Sequence, residues 1–193
     1  MKKSIWAVLV VVSCAVGTSA QAQDKGAYFG GGIFQSDAKD WCNGVVGSCD
    51  DNDTSWRVFG GYQINKWFGV ELGYADLGNV SASGTFAGTP FTANASATTI
   101  ELVGVGTFPI NEQFGVFGKL GAHRWDLDVS TTVAGTPFSR SGTGTDLTYG
   151  VGLQVNITKN ISARLEWQRY NDVGDTGPTD VDTFGASLVV KLF

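Results

Sequence analysis

The strongest constraint on this chain is a rhythm. Runs of roughly ten residues alternate apolar and polar side chains, and the connections between them are by turns long and short. Such alternation marks a strand that meets different surroundings on its two faces. The runs cover residues 27–35, 55–64, 67–77, 97–108, 113–125, 146–157 and 161–170, with a last one ending at Phe193. Short connections lie at Asn65-Lys66, at Pro109 to Glu112 and at Thr158-Lys159-Asn160. Long ones cover 36–54, 78–96, 126–145 and 171–180. An even number of strands, with every long loop at one end, describes an up-and-down meander, and closing it into a barrel removes the edge strands.

The two faces differ in kind. Phe68, Val70, Leu72 and Tyr74 oppose Gly69, Glu71 and Gly73; Leu147, Tyr149, Val151, Leu153 and Val155 oppose Thr148, Gly150, Gly152 and Gln154. The mid-strand charges on the polar faces are Arg57, Lys119 and Arg164 against Glu71, Glu101 and Glu166, so the signs balance. Two folds accommodate this. A membrane barrel turns its apolar face to lipid and its charges inward. A soluble lipocalin-like barrel does the reverse, and period 2 by itself does not say which face is inside. Aromatic residues near the run ends favour the membrane. Trp67, Phe68, Phe108 and Phe114 lie by the short turns, and Trp56, Tyr74 and Tyr149 by the long loops, like two interfacial girdles. The expected fold is an all-β, eight-stranded antiparallel up-and-down transmembrane β-barrel.

The start of the chain reads as a secretory signal peptide over 1–22: basic Lys2-Lys3, an apolar run from Ile5 to Val12, and the small-x-small sequence Ala20-Gln21-Ala22. A membrane anchor and a lipoprotein signal centred on Cys14 are the alternatives. The barrel domain then spans 23–193. Export implies an oxidising compartment, so Cys42 and Cys49 are expected to form a disulfide, with an incomplete metal site as the alternative. The net charge of -5 offers no basic stripe for nucleic acid.

Several segments resemble the OmpA-like transmembrane domain. They are Phe59-Gly60-Gly61-Tyr62-Gln63, Val70-Glu71-Leu72-Gly73-Tyr74, Gly118-Lys119-Leu120-Gly121-Ala122 and Arg164-Leu165-Glu166, in that order over 23–193. The resemblance implies an internal salt-bridge network onto which Glu71, Lys119, Arg164 and Glu166 map. It also implies that Phe193 is a signal read by the barrel-insertion machinery. Lys191 departs from that signal, since an apolar or aromatic residue is usual there; a bulge would restore the register. The sequence ends without a periplasmic domain, so no peptidoglycan anchor is expected.

One five-residue repeat stands out. Ala87-Gly88-Thr89-Pro90-Phe91 recurs as Ala134-Gly135-Thr136-Pro137-Phe138, each inside a long loop. Gly-Thr-Pro reads as a turn, and the flanking alternation suggests two similar hairpins standing above the membrane. Chemistry is sparse. His123 is the sole histidine, and Trp125 stands where the outer-membrane lipid A deacylases carry serine two residues after histidine. Asp37, Asp40, Asp50, Asp51 and Asp53 cluster without EF-hand spacing and read as a solvated loop. The expected protein is a monomeric, non-catalytic barrel without cofactor or metal. It sits among outer-membrane lipid and lipopolysaccharide with both termini periplasmic, and is at most a narrow ion path. A loop-mediated adhesin is the second reading, a lipid A-modifying enzyme the third.

Overall fold

The computed structural model describes residues 25–39, 41–42, 47–86, 89–174 and 179–192. The expected signal peptide, Asp40 and Phe193 lie outside these. The strands are β1 (Gly26–Ala38), β2 (Gly47–Asp50), β3 (Asn52–Gln63), β4 (Phe68–Phe86), β5 (Thr89–Pro109), β6 (Phe114–Val133), β7 (Thr136–Asn156), β8 (Ile161–Val173) and β9 (Thr179–Leu192). The pairing order β4-β3-β1-β9-β8-β7-β6-β5 closes through β4–β5 into an antiparallel barrel of eight strands. The short β2 lies outside the ring, against β4 from Ser81 to Gly84.

Burial settles the question that periodicity left open. Leu72, Leu102 and Leu120 are each at least 60% exposed, whereas Glu71 and Glu101 are fully buried. The apolar face is outside and the charges are inside, as lipid requires and water forbids. At the two rims of the apolar band, aromatic side chains pack in pairs. Trp67 meets Phe108 near the short turns; Trp56 meets Tyr74, and Tyr149 meets Trp167, toward the long loops.

The three short turns share one construction. The Ile64, Ile110 and Ile157 amides donate to the carbonyls of Phe68, Phe114 and Ile161 at 2.8–2.9 Å. The next residue, Asn65, Asn111 or Thr158, turns its side-chain oxygen onto two further amides. Asn and Thr do this because their short polar side chains mimic a backbone turn. The sequence therefore carries a second repeat, Ile-Asn or Ile-Thr at each short turn, that the rhythm alone does not reveal.

The long connections depart from expectation. Residues 78–96 and 126–145 are largely strand: β4 pairs with β5 up to Phe86↔Thr89, and β6 with β7 up to Val133↔Thr136. The expected hairpins above the membrane are therefore continuous with the barrel wall. The turn in the second copy of the repeat is Ala134-Gly135, both at positive φ (49° and 80°), while Thr136-Pro137 already begins β7. A two-residue turn of this hand matches the twist of its strands, so in this copy Gly-Thr-Pro is not the turn; Ala87 and Gly88 of the first copy lie outside the described residues. β4 bends once, with a register shift between Asp76 and Asn79 around Gly78 at φ 86°. Asp53 caps that bend, accepting the Asn79 amide at 2.7 Å and the Thr54 amide at 2.7 Å. At Lys191 no bulge occurs. β9 pairs with β1 without a shift, and Lys191 sits opposite Tyr28.

Candidate functional site

Among the described residues, buried polar chemistry is concentrated in the lumen, which is built by strand parity. Arg57 on β3, Glu71 on β4, Glu101 on β5, Lys119 on β6, and Arg164 with Glu166 on β8 all point inward and are at most 4% exposed. The fold brings all six together in a chain of alternating sign. Arg164 Nη1 lies 2.5 Å from Glu71 Oε1, and Lys119 Nζ lies 2.8 Å from Glu71 Oε2 and 3.1 Å from Glu166 Oε1. Arg57 grips Glu166 with both terminal nitrogens, at 2.7 and 2.8 Å. Glu101 ends the chain, 3.7 Å from Arg57. Buried ions are tolerable only when paired and hydrogen-bonded; here three cations meet three anions and the sum is zero.

Uncharged side chains complete the network. Gln168 accepts from Arg57 Nη1, and its amide donates to Glu101 Oε2 at 2.5 Å and Thr148 Oγ1 at 2.8 Å. Tyr28 donates to Glu71 at 2.9 Å, and Arg164 Nε donates to Gln154 at 3.0 Å. Two phenyl rings wall the cations in. Phe59 lies 5.1 Å from both Arg57 and Lys119, and Phe117 lies 4.9 Å from Arg164, distances at which a ring face attracts a cation. Sequence reasoning missed Phe59, Phe117 and Gln168 as members. The signal was present, since Phe59 shares the parity of Arg57 and Phe117 that of Lys119.

Glycines make the room. A Cβ on Gly73 would come within 2.9 Å of Glu101 Oε1, and on Gly144 within 2.8 Å of the Trp125 indole nitrogen. A long interior side chain thus faces a neighbour that has none.

On either side of the charged layer the lumen opens. Toward the short turns lies a polar vestibule of about 510 Å³, reached by Lys191, Gln63, Gln154 and Arg164. Toward the long hairpins the interior turns apolar, with Ala75, Ala97, Trp125 and Tyr170 buried above the charges. His123 belongs to that transition. Its Nε2 lies 3.1 Å from the Asn171 carbonyl and its Nδ1 3.1 Å from Thr99 Oγ1, so both ring nitrogens are engaged. Outside the ring, Cys42 and Cys49 are disulfide-bonded. Asp37 and Asp182 are held by Lys39 and Arg169 rather than grouped for a cation, and no cluster of metal-ligating side chains occurs among the described residues.

The family model of the OmpA-like transmembrane domain matches residues 22–191. Outer membrane protein A of Klebsiella aerogenes is 31% identical over 199 residues, covering all of this chain and 55% of that protein. Outer membrane protein A of Shigella flexneri is 30% identical over 181 residues, covering 91% of this chain and 50% of that protein. The chain thus spans about half the length of the curated relatives it matches. Among solved structures, the outer membrane protein OprG of Pseudomonas aeruginosa superposes with TM-score 0.60 at 15% identity, covering 89% of this chain and 100% of its own. Ail, the attachment invasion locus protein of Yersinia pestis, superposes with TM-score 0.58 at 20% identity, covering 88% and 99%. At these identities the likeness is one of fold.

Proposed function

From the premise that this chain belongs to the OmpA-like transmembrane domain family of outer-membrane β-barrels, we propose that it is a non-catalytic surface barrel. In this reading the wall anchors the protein, the charged lumen specifies and closes the fold, and the long hairpins face outward from the cell. The observation that carries it is the charge-neutral layer of ions across the lumen, three cations alternating with three anions. Six buried ions, backed by Phe59 and Phe117, fill the cross-section between the two vestibules. Eight strands enclose space for side chains and little else, so any ion path is narrow and requires the pairs to rearrange. Residues 1–22 direct export, Phe193 is read by the insertion machinery, and both termini lie in the periplasm with the short turns. The protein is a monomer among lipid and lipopolysaccharide. Catalysis finds no support: His123 is held by a threonine and a backbone carbonyl, and Trp125 donates to Asp146 at 2.8 Å.

The test is electrophoresis of the outer-membrane fraction before and after boiling, combined with an epitope inserted between Ala134 and Gly135. A closed barrel migrates differently unheated, and the epitope is labelled on intact cells. No mobility shift refutes the closed barrel; labelling only after permeabilisation refutes the orientation.

One observation favours a second reading, a binding module acting through the hairpins. β7 pairs with β8 from Thr148 to Asn156, so among the described residues the stretch of β7 from Thr136 to Leu147 leaves one edge without a strand partner. Such an edge can accept an extended peptide. Deleting residues 84–93 and 131–141 then abolishes cell-surface attachment while the heat-modifiable barrel persists; attachment that survives the deletion rejects this reading.

A further inference from the structure

The apolar end of the lumen holds a cavity of about 240 Å³, walled by Leu77, Val80, Leu127, Val129 and Val181 with Ala97 below. It lies inside the extended hairpins, partly open to solvent, and adjoins the buried cluster that holds Ala97, Trp125 and Tyr170. The lining is mainly apolar, and a mostly apolar recess suits an apolar molecule; for scale, an enclosed cavity of about 150 Å³ holds benzene. In proportion, 240 Å³ holds about ten non-hydrogen atoms.

Two indoles border this region and differ in one respect. Trp125 Nε1 is satisfied by Asp146. Trp41 Nε1 is shielded from solvent and has no acceptor among the described residues. A buried N–H without an acceptor is costly, and this one belongs to a side chain that lines the cavity. The charged residues of the lining are Asp51 and Arg140, one of each sign, so the site as a whole selects neither cations nor anions.

We propose that this cavity binds a small uncharged apolar molecule of about ten non-hydrogen atoms carrying one hydrogen-bond acceptor. The aliphatic walls bury its body and Trp41 Nε1 fixes its orientation. A site of mostly apolar lining with one placed polar group is the common form of small-molecule recognition. Neither the barrel's anchoring role nor its orientation in the membrane enters this inference.

Acetophenone and isopropylbenzene are matched probes of equal heavy-atom count, the first with a carbonyl acceptor and the second without. Each is titrated into methyl-labelled protein in lipid nanodiscs. The Trp41 indole proton and the Leu77, Leu127 and Val181 methyls are followed against the lipid-facing Leu72 and Leu102. Saturable shifts confined to the first group are expected, with acetophenone bound about fivefold more tightly, as one net hydrogen bond gives. Trp41→Phe removes that preference and keeps isopropylbenzene binding; Val129→Trp fills the space and abolishes saturation by both. Shifts that grow without limit and track Leu72 and Leu102 report partition into lipid and overturn the site, whether or not the Val129 variant folds. Saturable binding that survives in a folded Val129→Trp barrel also overturns it. Equal affinity for the two probes in the unmodified protein overturns the assignment of Trp41.

Discussion

Replacing Lys119 by methionine tests the energetics of the lumen most directly. The ammonium stands between two carboxylates, 2.8 Å from Glu71 and 3.1 Å from Glu166. At an effective dielectric constant of about 20, each contact is worth roughly 5 kcal/mol. Taking a lysine out of water costs several kcal/mol, so the net contribution is well below the sum. Glu71 keeps Arg164 and Glu166 keeps Arg57 in the variant, but the layer acquires one uncompensated negative charge. The expected loss is ~3–5 kcal/mol, the range for breaking a buried pair. Adding Glu166→Gln restores neutrality, so the double variant should lie closer to wild type than Lys119→Met does. The assay is urea unfolding in lipid vesicles followed by tryptophan fluorescence, with the mobility shift as a check on closure. A loss below about 1 kcal/mol for the single variant, or strictly additive losses in the double, would refute the claim that the six charges act as one network.

Three further outcomes follow from particular contacts. Gly73→Ala places a Cβ against Glu101, the loosest carboxylate of the chain, and should cost ~1–2 kcal/mol, whereas Gly60→Ala, whose Cβ meets only a carbonyl at 4.0 Å, stays within about 0.5 kcal/mol in the same unfolding assay. Ala134→Asn relieves a non-glycine residue at φ 49° in a turn that favours Asn-Gly, and should raise hydrogen-exchange protection of the β6–β7 tip by ~0.5–1 kcal/mol; unchanged protection refutes the strain. The Asn79 and Thr54 amides, with burial opposing them, hold the Asp53 carboxyl below the ordinary carboxylate range. Its contribution is therefore complete above the ordinary value and lost as pH falls through the depressed one. Exchange protection at Asn79 should be flat from about pH 5 to about pH 8 and fall on stronger acidification, and Asp53→Ala should remove that dependence.

The alternation at 67–77 and 146–157 made the strands legible, and Asn65, Asn111 and Thr158 made the turns legible, because both rest on chemistry within a few residues. The charges were legible too, since Arg57, Glu71, Glu101, Lys119, Arg164 and Glu166 fall on the polar parity of their runs. What a strand's own residues do not encode is which face the sheet curls around. That was decided when the ring closed through β4–β5, leaving Leu72 in lipid and Glu71 dry. Nor do they encode the order of the ions. Arg57 meets Glu166 across 109 residues of sequence, and that meeting depends on the stagger of strands that do not touch. The same holds for Phe59 and Phe117, whose rings meet the cations only once the barrel closes. The hairpins carry the same lesson. Residues 78–96 and 126–145 look like polar loops because their outward side chains face water, yet their backbones pair to the tip, and Leu77, Val80, Leu127 and Val129 are turned in upon a cavity. Local sequence determined where the chain extends and where it turns; the closure of the sheet, a long-range event, decided what lies inside.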